Sequence, residues 1–321
     1  MNRRESLAFL GAAALPTLSL AASPSLVRIL VPFPAGGAFD VIGRPLANGL
    51  QQELDATVIL DFKPGATGRL AVDLLLQAPP DGATLMLHAG TVQSLYTHTI
   101  KKLNYAPFGD LAPVSLVAKT EFGFAVSNGV PASVKSIKDY LTWAAADPKR
   151  CNFGTPGAGT PYHFIPVLFA RDAGVELNAI HYKGGNPAVQ DLMADHVSAA
   201  CLPLGTLLDG AANGRFRVIA STAAARTPSA PNVATFAEQG LPQYTREEWY
   251  AIFAHAKTPP AVMTRFSDAI QKVVATPAFR DVVSKHHFRP ASASPEAALQ
   301  LARADHAYWG DIVKRFGYEP E

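Results

Sequence analysis

Short apolar runs alternate with segments of helical periodicity along most of this chain. The first run, Leu26 to Val31, predicts a strand, and a proline-stiffened turn then carries the chain through Gly36 and Gly37 into a helix. The apolar face of this helix comprises Ile42, Leu46, Leu50 and Leu54. Pro45 lies inside the helical pattern, so we expect it to kink the helix or delay its start.

The turn at Gly36 and Gly37 is a potential anion site. A strand that enters a helix through glycines leaves backbone N–H groups without an intrahelical partner, in the positive field of the helix dipole. The stretch contains neither G-x-G-x-x-G nor G-x-x-x-x-G-K-[ST], which disfavours a nucleotide phosphate as the guest. An ordinary strand-to-helix turn is the alternative interpretation, and this stretch alone does not decide between them.

Two further strands, Thr57 to Asp61 and Thr84 to His88, alternate with helices in the first part of the chain. This alternation predicts a parallel, right-handed βαβ sheet. The runs Val114 to Ala118 and Phe122 to Ser127 then predict two strands separated by a short break. We interpret that break as the crossing into a second domain.

A second alternating series follows the break and predicts a second sheet. Its strands are Asn152 to Thr155, Ala179 to Tyr182, Val197 to Leu202 and Phe216 to Ser221. The run Trp249 to Ala254 predicts a strand that returns to the first sheet, and the chain after Pro260 is predicted to be mainly helical. The fold class is therefore α/β, with each domain a mostly parallel sheet flanked by helices.

Two crossings make the first domain discontinuous. We predict a first domain of residues 25–121 plus 252–321 and a second domain of residues 122–251. In such an arrangement a ligand has its natural place in the cleft between the domains, at the carboxyl ends of both sheets.

The second domain repeats the strand, glycine turn and helix start of the opening stretch. The segment from Asn152 to Thr160 turns through Gly157 and Gly159, and Thr155 adds a hydroxyl. Each helix start would contribute up to ~1–2 kcal/mol to holding an anion in a partly buried geometry. Because a buried carboxylate without partners is strongly unfavourable, a clamp of two such turns would close only on a ligand that satisfies both.

Composition and charge exclude several classes of protein. With 48% apolar and 17% charged residues, the 321-residue chain has the composition of neither a disordered nor an integral membrane protein. A formal net charge of +2 gives no electrostatic case for a nucleic-acid partner. The histidines and cysteines match no metal-binding spacing, so we expect no metal and no cofactor.

Residues 1–24 have the pattern of an export signal. Paired arginines precede an apolar run from Leu7 to Leu15, which is shorter than the ~20 residues that a membrane span needs. We predict cleavage between Ala21 and Ser25 and a periplasmic location. The paired arginines leave both the Sec and the twin-arginine export routes open.

The chain contains two cysteines, Cys151 and Cys201. An even count in an oxidising compartment invites a disulfide. Each cysteine lies in what we predict to be a buried strand of the same sheet, at a different height along it. We therefore predict two free, buried thiols.

Seven motifs follow one another along the chain. They are V-P-F-P-A-G-G-A-F-D, F-K-P-G-A-T-G, P-P-D-G-A-T-L-M-L, F-G-T-P-G-A-G-T-P-Y-H, H-Y-K-G, A-S-T-A-A-A-R-T-P-S-A-P-N-V-A-T-F-A-E-Q-G and W-Y-A-I-F-A-H-A. In this order they resemble the motifs of the Bug family, the extracytoplasmic solute-binding proteins associated with tripartite tricarboxylate transporters. Single motifs are weak signals, but their order from Val27 past Ala256 is specific.

The resemblance implies a two-domain, type II-like periplasmic binding protein that closes on a small organic carboxylate without changing it. It also implies a monomer that serves membrane transporter subunits or a sensor kinase ectodomain. The implied ligand contacts of the first domain are Phe33, Ala35, Gly36, Gly37, Ala38 and Asp40. Those of the second domain are Thr155, Ala158, Gly159 and Thr160. Asp40 lies in the first helical turn, where capping is favoured over a hydrogen bond to the ligand.

Four departures from the family pattern bear on the ligand: Phe39, Arg69, His88 and Leu204. Arg69 either pairs with a second carboxylate or is a solvated residue at a helix start, and the latter is favoured. For His88, a packed, hydrogen-bonded histidine is favoured over a ligand contact. If Phe39 and Leu204 line the pocket, an aromatic or otherwise apolar acid is favoured over citrate.

The alternative function is a periplasmic enzyme that acts on a carboxylic acid, with Asp40 or His163 as general base. The sequence has no G-x-S-x-G and no serine or cysteine at a recognisable nucleophile turn, which favours the receptor. His163 is more readily explained as a residue that steadies the helix start after Thr160.

Overall fold

The computed structural model describes residues 25–315, 317, 318 and 320. The predicted signal peptide, residues 1–24, lies outside the described residues. No helix among the described residues is both long enough and apolar enough to cross a membrane.

The described residues form ten strands and eleven α-helices. The strands are β1 (Leu26–Val31), β2 (Thr57–Phe62), β3 (Thr84–Ala89), β4 (Leu111–Ser127), β5 (Asn152–Thr155), β6 (Asn178–His181), β7 (Ala199–Pro203), β8 (Phe216–Ser221), β9 (Glu247–His255) and β10 (Arg289–Pro290). The helices are α1 (Ala38–Leu54), α2 (Arg69–Gln77), α3 (Thr91–Ser94), α4 (Tyr96–Thr99), α5 (Ile137–Ala145), α6 (Pro161–Asp172), α7 (Gly185–Met193), α8 (Leu204–Ala211), α9 (Pro260–Ala275), α10 (Pro277–Lys285) and α11 (Pro295–Arg315).

The strands lie along one path in the order β2-β1-β3-β9-β4-β7-β5-β6, and β8 and β10 also pair with β4. β1 is parallel to β2 and β3, and β5 is parallel to β6 and β7. β4 and β9 are antiparallel to their neighbours. The α/β class is therefore confirmed, but both sheets are mixed rather than mostly parallel. The strands that join the domains run against the βαβ units, which the local pattern does not reveal.

The two strands predicted on either side of residue 120 are one continuous strand, β4. Its first part, to Glu121, pairs with β9, and from Phe122 it pairs with β7 and β8. The polar residues between the two predicted runs remain in the ladder because they have partners. Lys119, for example, forms an ion pair with Glu247 of β9 at 3.4 Å. The crossing between the sheets therefore occurs within a strand rather than in a loop.

Two segments pack differently from the predicted domain limits. Glu247 to Ala251, which the prediction places in the second domain, pair with β4 in the first sheet. The end of α11 packs in the core of the second domain through Trp309, Ile312 and Val313, whereas Ala298 and Ala302 pack in the first. The limits at residues 121 and 252 stay a prediction, and α11 spans both cores.

Helix α1 has the predicted apolar face. Ile42, Leu46, Leu50 and Leu54 are all buried against the first sheet. The helix begins at Ala38 and includes Pro45, so the proline does not delay its start.

Both cysteines are buried and free, as predicted. Cys201 lies in β7, whereas Cys151 directly precedes β5 rather than lying in it. The Cys151 thiol donates to the carbonyl oxygen of Ala144 at 3.5 Å, so it is held towards α5.

Asp305, in the middle of α11, ties together the segments that pass between the domains. Its carboxylate pairs with Arg246, immediately before β9, and accepts a hydrogen bond from Trp249 Nε1 at 2.6 Å. The Arg246 guanidinium lies 3.8 Å from the centre of the Tyr308 ring. Asp305 is only 8% exposed, so its removal would leave a mostly buried guanidinium and an indole N–H without their acceptor.

Replacing Asp305 with alanine should lower the free energy of unfolding by about 3 kcal/mol, because the remaining partners of a buried ion pair are left unsatisfied. Urea denaturation followed by circular dichroism measures the change. The matched control is Asp311→Ala, at an exposed position of the same helix, where a change within about 0.5 kcal/mol is expected. Equal losses in the two variants would contradict the role given to Asp305.

Candidate functional site

A cavity of about 230 Å³ lies between the two domains. Half of the residues singled out from the sequence line it: Phe33, Ala35, Gly37, Ala38, Phe39, His88 and Thr160. The other half do not: Gly36, Asp40, Arg69, Thr155, Ala158, Gly159 and Leu204. Further lining residues come from the loop between β6 and α7, from the start of α6 and from β9.

The loop between β1 and α1 supplies one wall of the cavity. Gly36 has a φ of +86°, a left-handed conformation that favours glycine, and Gly37 then leads in extended conformation into α1. No side chain caps this helix start. The N–H groups of Ala38 and Phe39 therefore lack intrahelical partners, in the positive field of the helix dipole.

Asp40 has a structural role at the start of α1, as the sequence favoured, but it braces the preceding turn rather than capping the helix. Its Oδ2 accepts a hydrogen bond from the Gly36 N–H at 2.8 Å, and its Oδ1 lies 2.7 Å from Arg44 Nε. The Gly36 amide is thus already bonded within its own loop. Asp40 shapes the turn that presents Gly37 and Ala38 to the cavity.

The loop between β5 and α6 presents fewer free groups than the sequence suggested. The Thr160 hydroxyl donates to the carbonyl oxygen of Gly157 at 2.8 Å, and the Gly159 N–H donates to His163 Nδ1 at 3.3 Å. α6 begins with Pro161, which has no N–H. Thr160 is the predicted contact of this loop that reaches the cavity.

His163 steadies this loop, as predicted. Burial, followed by the neighbouring His181, lowers the pKa of His163 to about 4. The imidazole is therefore neutral at pH 7, and its Nδ1 accepts the Gly159 N–H.

The loop between β6 and α7 is a third component of the site that the sequence analysis did not single out. Residues 183–187 line the cavity, and α7 begins at Gly185 after Gly184, whose φ is +102°. The signal was present, because this segment again runs from a strand through glycines into a helix. Lys183 is the one lysine or arginine among the described residues that line the cavity.

The two domains touch each other around the cavity. Asn186 Nδ2 of the second domain donates to the carbonyl oxygen of Gly36 at 2.8 Å, and Thr99 Oγ1 of the first donates to that of Gly159 at 3.4 Å. Gly157 faces Thr67 so closely that a Cβ on this glycine would lie 2.8 Å from Thr67 Cγ2. The structure therefore shows a closed arrangement, held partly by loop backbone.

Aromatic side chains form the inner wall of the cavity. The Phe39 ring stacks on Phe33 and meets Tyr250 edge-on, with ring centroids 5.2 Å apart in both pairs. His88 is buried and lines the same wall, with its Nδ1 at 3.0 Å from the carbonyl oxygen of Ala89. Burial lowers the pKa of His88 to about 4, so it is a packed, neutral histidine.

Two of the four specificity candidates lie away from the cavity. Leu204, at the start of α8, is 1% exposed and packs towards Gly123 of β4, so it cannot shape the pocket surface. Arg69 begins α2 and is not a lining residue.

The floor of the cavity carries a polar cluster that the sequence analysis missed. Glu248 and Tyr250 of β9 and Tyr162 of α6 line it. Glu248 is 4% exposed, and burial, together with the charge of Asp305, raises its pKa well above the usual range. The buried Tyr162 hydroxyl lies beside that of Tyr250 and makes no hydrogen bond of normal geometry to a described residue. The sequence-predicted strand began at Trp249, which left Glu248 in a supposed loop.

Two α/β domains that share a strand and enclose a cavity at the ends of their strands define a two-domain periplasmic binding protein. The family model described as the tripartite tricarboxylate transporter family receptor matches residues 42–318. The chain belongs to this family, and the resemblance to the Bug proteins is confirmed. It is therefore a solute-binding receptor and not an enzyme.

Relatives match over nearly the whole chain. Protein BugT of Bordetella pertussis is 26% identical over 292 residues, which cover 91% of this chain and 89% of BugT. A protein encoded in the gbd 5′ region of Cupriavidus necator is 30% identical, with 99% of this chain and 98% of that protein covered.

Solved structures show the same fold. The periplasmic binding protein BugD superposes with a TM-score of 0.85 at 26% identity, over 92% of this chain and 98% of BugD. An R. palustris protein with adipate superposes with a TM-score of 0.86 at 25% identity, over the same shares of the two chains. The predicted two-domain fold is thereby confirmed.

Replacing Asp40 with alanine should lower the free energy of unfolding by about 1–2 kcal/mol, because the Gly36 amide loses a charged acceptor. Asp40→Asn keeps an oxygen for that amide and should recover at least half of the loss. Thermal unfolding of both variants beside the wild type measures the difference. An alanine variant as stable as the asparagine variant would show that the bond to Gly36 is unimportant.

Proposed function

We propose that this protein is an extracytoplasmic receptor that captures a small organic carboxylate between its domains. We further propose that it presents this acid to the membrane subunits of a tripartite tricarboxylate transporter or to a sensor kinase ectodomain. The observation that carries the proposal is the convergence of two helix starts, those of α1 and α7, on one cavity between the domains. The adipate in the R. palustris relative supports a carboxylate as the guest.

Direct contacts to the carboxylate are assigned to the lining residues of the loops. The N–H groups of Ala38 and Phe39 have no intrahelical partner and offer hydrogen bonds to the carboxylate. Lys183 is exposed at the rim and adds a positive charge beside the start of α7. The remaining predicted contacts do not line the cavity, and their role is to shape these loops: Gly36, Asp40, Thr155, Ala158 and Gly159.

The aromatic wall favours an acid with an apolar body. Phe33, Phe39 and Tyr250 present ring surface to the cavity, and burying apolar surface contributes about 25 cal/mol per Å². Phe39 thus supports the preference for an apolar acid over citrate, whereas Leu204 has no part in it.

Ala38→Pro removes one amide N–H from the proposed carboxylate site without disturbing the helix. Ala38 is the first residue of α1, where proline is tolerated, and Gly37 already has the extended backbone that precedes a proline. Losing a hydrogen bond to a charged group should weaken binding about tenfold to a hundredfold. Titration calorimetry with hexanoate, ω-hydroxyhexanoate, ω-aminohexanoate and adipate measures the effect on each acid that binds.

Ala38→Gly is the matched control for this experiment, because it removes only a methyl group and keeps the N–H. It should bind each acid within about threefold of the wild type. The proposed function fails if the wild type binds none of the acids, or if Ala38→Pro binds them as the wild type does.

We also propose that the chain is exported, cleaved and active as a monomer. The pattern of residues 1–24 and the periplasmic relatives support export. Mass analysis of protein from the periplasmic fraction should give a mature chain that begins at one of residues 22–25. A chain found only in the cytoplasm with Met1 or Asn2 at its start would contradict this prediction. Light scattering of the same material tests the monomer.

A further inference from the structure

We propose that the floor of the cleft recognises a basic nitrogen, so that the preferred ligand is an organic acid with an amino group at its far end. This inference rests on the proposed function, because it takes the carboxylate to bind at the loops. The feature that carries it is Glu248, a carboxyl group in the cavity wall with no ion pair to any described residue.

The residues at the two ends of the cavity differ in how far they are exposed to solvent. Ala35, Lys183 and Asn186 of the rim are exposed, whereas Glu248, Tyr250 and Tyr96 are at most 4% exposed. Glu248 lies opposite Thr120, where β9 and β4 approach the crossing between the domains. An acid held by its carboxylate at the rim therefore points its other end at Glu248.

The described residues that interact electrostatically with Glu248 are three tyrosines and Asp305, which supply hydrogen-bonding atoms, ring surface and a negative charge but no cation. Tyr96 of α4, Tyr162 of α6 and Tyr250 of β9 all lie within its electrostatic reach. Asp305 of α11 adds a second negative charge behind it, already paired with Arg246.

The neighbouring charged residue of the same strand provides no partner for Glu248. Glu247 points to the opposite side of β9, where it pairs with Arg289 and Lys119. An ammonium group on the ligand would supply the cation that Glu248 lacks, and the surrounding aromatic faces favour a cation as well.

The Tyr162 hydroxyl supports the same assignment independently. It lines the cavity and is buried beside the Tyr250 hydroxyl, with no hydrogen bond of normal geometry to a described residue. Buried hydroxyls in folded proteins are nearly always bonded, so this one is available to accept a hydrogen bond from a ligand atom. An ammonium group has three donors and can serve Glu248 and Tyr162 together.

Binding of an ammonium group changes the number of protons that Glu248 holds. Burial and the charge of Asp305 raise the pKa of Glu248 well above its usual range, which favours a carboxyl that carries its proton before the ligand arrives. When an ammonium group binds, Glu248 releases that proton to solvent and becomes the carboxylate that accepts the ammonium N–H. Binding of the amino acid therefore releases a proton to the buffer, and binding of an acid with a hydroxyl in the same place releases none.

The experiment compares three ligands of equal length that differ only at the far end: ω-aminohexanoate, ω-hydroxyhexanoate and adipate. The wild type should bind ω-aminohexanoate at least about tenfold more tightly than the other two. Glu248→Gln, which keeps the shape but not the charge, should abolish that preference. Calorimetry in phosphate and in Tris, whose ionisation heats differ, should show the released proton for the wild type and none for the variant.

Glu247→Gln is the matched control, since it makes the same substitution one residue away on the outer side of β9. It should keep both the preference and the proton release, and thermal unfolding of both variants checks that they are folded. Equal or tighter binding of adipate, or a preference that survives in Glu248→Gln, would overturn the inference. If Ala38→Pro weakens binding but no amine preference exists, the proposed function stands and this inference fails.

Discussion

The structure depends on one strand that belongs to both sheets. β4 pairs with β9 as far as Glu121 and with β7 and β8 from Phe122 onward. Buried backbone N–H and C=O groups must be paired. A crossing between the two sheets that lies within a hydrogen-bonded strand is therefore held in one position. β4 fixes the position of β9 beside it and so places Glu248 of β9 opposite Thr120 of β4. The cleft therefore has a floor of paired strands and walls of loops.

Much of the fold is predictable from the spacing of apolar residues. β1, β5 and β8 have their expected bounds, because in each case an apolar run ends at a proline, glycine or polar turn. The error at β4 has a physical cause. Lys119 and Glu247 are each polar, yet they pair across the two strands and so satisfy each other. One segment of sequence does not reveal which strand it pairs with. Polar residues that pair across two strands are therefore mistaken for a loop.

The candidate site likewise has one part that is predictable from the sequence and one part that is not. The loop at Gly37 and Ala38 is predictable because strand, glycine and helix start are neighbours in sequence. Two amides expected to be free are instead bonded to side chains four residues later, Gly36 to Asp40 and Gly159 to His163. The floor depends on Tyr162 and Glu248, which are far apart in the chain, so only the assembled fold brings them together.

The two ends of the cleft differ in what they can recognise. In the proposed function the rim offers backbone N–H groups, which any chain with this turn possesses, so it would bind carboxylates as a class. The floor uses side chains, and a buried side chain that needs a partner rejects ligands that leave it unsatisfied. Resemblance in the loop motifs therefore accounts for the anion, while Glu248 and Tyr162 decide among acids. Family membership and ligand identity are thus set by different residues, which explains how one fold with one anion site can serve many acids.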